Sequence, residues 1–104
     1  MESKITLETE YSTTEDLLRC LRCGDEHLHH GNPIVFNRVA EDQGGVVVQV
    51  LEDGARAKEA SESDFPYGRR GAIEIPFECE ACGPGLRLLI VQHKGHTLLS
   101  WKDK

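Results

Sequence analysis

Two copies of one pattern, CLRCG at Cys20–Gly24 and CEACG at Cys79–Gly83, are the part of this 104-residue chain best suited to chemistry. Thiolate is the softest ligand among protein side chains, and a Cys-x-x-Cys turn sets two sulfurs on the same side of a tight bend. Each copy therefore delivers half of a tetrahedron. The glycine after the second cysteine accepts the positive φ that the turn requires and lets backbone N–H groups point at sulfur. Together, Cys20, Cys23, Cys79 and Cys82 predict one structural Zn²⁺ held by four thiolates.

Two disulfides in a secreted chain are the competing reading. Residues 1–20 contain no basic stretch followed by an apolar run, and no apolar stretch approaches the roughly 18 residues of a membrane span. The expectation is a cytoplasmic protein with no membrane partner, where thiols stay reduced and metal ligation prevails. A full set of four thiolates also closes the position that a catalytic zinc keeps open for water. His-x-x-x-His, a His-x-Glu before Cys-x-x-Cys, a Gly-rich phosphate loop and Gly-x-Ser-x-Gly are all absent from the sequence. No enzyme is expected.

Three further groups have useful chemistry. His27, His29 and His30 follow the first knuckle and could form an outer shell or a second metal site; the plainer reading is solvated or packed histidine. His93 and His96 flank Lys94-Gly95, and a tight turn there would set them opposite each other on one face as a second polar site. If these histidines held another metal, a small metalloenzyme would follow. The stretch FPYGRR concentrates Phe65, Tyr67, Arg69 and Arg70, side chains enriched at protein interfaces and able to stack on single-stranded bases. Those four are the candidate partner contacts.

Most elements that must position these groups read as strands. The opening residues, 1–16, suggest a first strand or frayed tail. Ser12-x-x-Glu15 and Thr13-x-x-Asp16 resemble capping boxes ahead of a helical turn at Leu17 and Leu18. Ile34–Val39 and Val46–Leu51 are β-branched runs joined by a turn at 41–45, hence a hairpin. Glu52–Gly71 lacks an apolar period of two and reads as a loop with at most a helical turn at Ala55–Ala60. Ile73, Ile75, Phe77 and Cys79 alternate with Glu74, Pro76, Glu78 and Glu80, which predicts a strand with one wet face. Pro76 cannot donate to a ladder and favours an edge or a bulge. The closing runs LRLLIVQH and HTLLSW form a hairpin, with Trp101 over the core.

The two knuckles with their flanking strands resemble the zinc-ribbon group, in which Cys-x-x-Cys-Gly turns head adjacent hairpins around one zinc. The resemblance implies a mainly β, zinc-ribbon-like antiparallel sheet, here with a long insertion at 45–71. The combination of CxxCG, LHH (28–30), RRG (69–71), FECEAC (77–82) and QHKGHT (92–97) also resembles a group of short bacterial and phage proteins. That likeness spans Cys20 to Trp101 and implies no activity.

Size and composition suggest one domain, 1–104, with a modest core, since apolar residues make up only 38% of the chain. Twelve basic against eighteen acidic residues give a net charge of −6. Nucleic acid is bound chiefly by neutralising phosphates, so this balance favours a protein partner; a transcription-associated, nucleic-acid-binding ribbon is the alternative. An exposed sheet edge at Val46–Leu51 would also permit a homodimer.

Overall fold

A computed structural model describes residues 2–4, 7–8, 16–38, 43–61 and 71–103. Ten strands follow in chain order: β1 (Glu2–Lys4), β2 (Leu7–Glu8), β3 (Leu17–Leu18), β4 (Leu28–His30) and β5 (Ile34–Arg38), then β6 (Gly45–Leu51), β7 (Gly54–Ala60), β8 (Ala72–Cys79), β9 (Gly83–His93) and β10 (His96–Asp103). There is no helix among the described residues, and none long and apolar enough to cross a membrane. The fold is mainly antiparallel β, as expected.

The main sheet runs β1-β10-β9-β8-β5-β6-β7, with β4 joining β8 end-on to β5, while β2 and β3 form a separate pair. The closing hairpin β9–β10 has the expected register, His93 opposite His96, around Lys94 (φ 51°) and Gly95 (φ 80°). Positive φ at both turn residues matches the right-handed twist of the flanking strands. Pro76 accepts a hydrogen bond at its carbonyl from Gly31 N–H (2.8 Å), and a strand residue's N and C=O face the same way. Its missing N–H therefore falls at the break between β4 and β5, beside a register shift at Phe77/Glu78.

Several expectations are corrected. Ala55–Ala60 is strand, part of β7, and pairs along its length with β6. Leu17–Leu18 is likewise strand, paired with β2, where a helical turn was expected. The apolar run Val46–Leu51 is no edge, because β6 lies between β5 and β7. Glu74 does not face water: it is buried on the same face as Ala72 and Leu89 and bonded to Arg87 (3.3 Å). Only the second knuckle heads a hairpin. The first joins β3 to β4, which pair with different strands. The proposed capping residues Ser12, Thr13 and Glu15 lie outside the described residues.

The core has two parts. Cys20, Cys79, Leu86 and Trp101 form one cluster, with Leu18, Leu28, Phe77 and Leu88 packed against it. Ala72 and Leu89 form the other, against Phe36 and Val91. Trp101 meets Phe77 edge to face at 5.5 Å and 82°, the geometry that ring quadrupoles favour. The larger cluster is thus continuous with the two knuckles.

Candidate metal centre

Local backbone chemistry shapes each knuckle. At the first, Gly24 N–H donates to the Cys20 carbonyl (2.9 Å) and Cys20 N–H to the Asp25 carbonyl (2.9 Å), closing the turn. At the second, β8 runs directly into β9 with Cys79 opposite Gly83. Gly24 (φ 80°) and Gly83 (φ 91°) both take the left-handed conformation read from the motif.

These turns bring all four sulfurs within 4.8 Å of one another, the one such group of potential metal ligands among the described residues. Sγ separations are 3.5 Å for Cys20–Cys82, 3.6 Å for Cys23–Cys79 and 3.9 Å for Cys23–Cys82. A tetrahedron with metal–sulfur bonds of about 2.3 Å requires sulfurs about 3.8 Å apart. A disulfide requires about 2.05 Å, so the cluster has the dimensions of a metal site. The four cysteines are positioned to hold one metal ion.

Electrostatics favour the same occupant. Burial pushes the Cys79 thiol up, but the N–H groups of Cys82 and Ala81 outweigh it and bring the thiol down to about 7. At Cys23 the Asp25 N–H pulls down, yet contact with Cys79, lost hydration and the neighbouring Cys20 and Cys82 carry it up to about 12. Loss of hydration and contact with Cys20 likewise raise Cys82. The Cys79 thiolate forms readily while Cys23 and Cys82 resist, because like charges this close need a cation between them. Binding a divalent ion must therefore displace protons, and affinity falls as the medium becomes more acidic.

Arg22 fastens the two knuckles together. Its guanidinium donates to Asp103 (2.9 Å), to the Pro84 carbonyl (3.0 Å) and towards Cys82 Sγ (3.7 Å). This residue was not picked out in the sequence; its position between two motif cysteines was the available signal. Gly85 makes room for it, because a Cβ there would lie 2.5 Å from the guanidinium, and the backbone has φ 115°. Gly85→Ala is expected to cost about 1–3 kcal/mol in denaturant melts through backbone strain and displacement of Arg22. Adding Arg22→Ala should recover only the steric part, so the two effects will not add.

The histidines divide among separate partners. His27 Nδ1 donates to Asp25 (2.9 Å); this bond lowers the Asp25 pKa and raises that of His27. Asp25 in turn lies 4.0 Å from Cys79 Sγ. His29 pairs with Glu80 and His30 with the Gly31 carbonyl, so the three rings do not converge. His93 and His96 face each other, with no third potential ligand grouped with them among the described residues. A cleft of about 420 Å³ beside the bulge is lined by Pro76, Phe77, Pro84 and Leu86, together with His29, Glu78 and Arg87. The expected partner contacts Phe65, Tyr67, Arg69 and Arg70 lie outside the described residues. Comparison of the chain with protein-family models, with curated proteins and with solved structures finds no match in any of the three.

Proposed function

We propose that the protein is a non-enzymatic zinc-binding module, with Cys20, Cys23, Cys79 and Cys82 holding one structural Zn²⁺ and the sheet acting as a protein-interaction platform. The sulfur geometry carries this reading: four thiolates at tetrahedral spacing suit zinc and complete its coordination. Two of them, Cys20 and Cys79, are also members of the main apolar cluster. A metal bound there ties the hydrophobic core to both knuckles, as a structural ion does. The interaction role rests on the acidic balance and the composition of FPYGRR, together with the absence of a catalytic motif in the sequence.

Native mass spectrometry of untagged protein, before and after EDTA, tests the metal assignment. One zinc per chain is expected, with loss of the compact charge-state envelope on chelation. One iron per chain, or no metal in a folded chain, would overturn it.

A further inference from the structure

Strand β7 closes one end of the main sheet. All seven of its residues pair with β6, and no strand covers its other side among the described residues. Gly54 to Glu59 are exposed. Unpaired backbone along such an edge is a template for another strand.

Pairing with β6 fixes the two faces. Arg56 sits opposite Gln49 and Lys58 opposite Val47 on one face; Ala55, Ala57 and Glu59 occupy the other, opposite Val50, Val48 and Val46. One face of this edge is therefore purely basic. Neither Arg56 nor Lys58 has an ion pair among the described residues.

Symmetry decides what can be added. Two copies joined antiparallel through β7 share a two-fold axis perpendicular to the sheet, so each face meets only its own kind. Centring the axis on Ala57 pairs Arg56 with Lys58 twice. Centring it on Arg56 or Lys58 sets that residue against itself. Every other register overlaps three residues of β7 or fewer, against five or more in these. Each of these longer registers opposes like charges, which destabilises a cross-strand pair.

We propose that the open edge of β7 docks an extended acidic segment of a partner protein as an added antiparallel strand, and that Arg56 and Lys58 exclude a second copy of this chain. Carboxylates two residues apart in the partner would face Arg56 and Lys58 directly, while the intervening side chain lies over Ala57. The chain's net charge of −6 does not oppose this at physiological ionic strength, where fields fade over about 8 Å. The inference extends the interaction reading and is independent of zinc.

The test uses zinc-loaded protein and two short capped peptides of alternating valine and glutamate or valine and lysine, followed by amide chemical shifts. The glutamate peptide should shift β7 amides at a concentration on the order of tenfold lower than the lysine peptide. Arg56→Glu should weaken that preference. It should also make the protein self-associate in sedimentation equilibrium, since the register centred on Ala57 then pairs opposite charges twice. Equal responses to both peptides, no response from folded zinc-loaded protein, wild-type dimers joined through β7, or an Arg56→Glu variant that stays monomeric would each overturn the proposal. Zinc content measured in the same samples separates that outcome from failure of the metal assignment.

Discussion

Cys79→Ser is expected to lower metal affinity by more than about 100-fold and to abolish cooperative unfolding near neutral pH. Loss of an outer-shell partner alone costs 10–100-fold, and a ligand contributes more. Structural zinc supplies roughly 10–16 kcal/mol in small peptides, against about 5–15 kcal/mol of total stability for a domain. Cys79 is also 1% exposed and shares its cluster with Leu86 and Trp101. Cys82→Ser, at an exposed position, provides the comparison. Both variants should lose zinc and melt without a cooperative transition, as the wild type does in EDTA. Unchanged zinc content and an unchanged melt for Cys79→Ser would refute the metal centre.

Trp101→Ala should cost about 3–5 kcal/mol, enough to leave little of a small domain's stability. The ring is 2% exposed, lies edge-on to Phe77 and shares a cluster with Cys20 and Cys79. Its removal opens a void behind two of the sulfurs. Metal retention should therefore suffer as well, and a colorimetric chelator should extract zinc faster from this variant than from wild type. Leu98→Ala, at a side chain 48% exposed, should fall within about 0.5 kcal/mol of wild type. Equal chelation rates for the two variants would show that the core and the metal centre are energetically separate.

Short-range patterns were legible in the sequence. A Cys-x-x-Cys-Gly knuckle and a Lys-Gly hairpin turn are set by residues close in sequence, and the structure places Cys20, Cys23, Cys79, Cys82, His93 and His96 as those patterns imply. Residues 54–60 were misread because β7 is wet on both faces and so carries no apolar alternation. The opposite error befell Val46–Leu51: a run apolar on both faces marks an interior strand, and this one has a neighbour on each side. Glu74 was assigned to water by its alternation with Ile73 and Ile75. Its burial depends on Arg87 across the ladder, a partner that alternation within one strand cannot reveal.

The separation of the two knuckles has a consequence for how the protein is made. Cys23 leaves the ribosome well before Cys79, and at 5–20 residues per second the interval is about 3–10 s. During that time the first pair of thiols exists as half a site, with its partners still unsynthesised. Cys79 and Cys82 complete it only after the β8 sequence has emerged, so four-thiolate coordination, and the stability it supplies, comes late in synthesis.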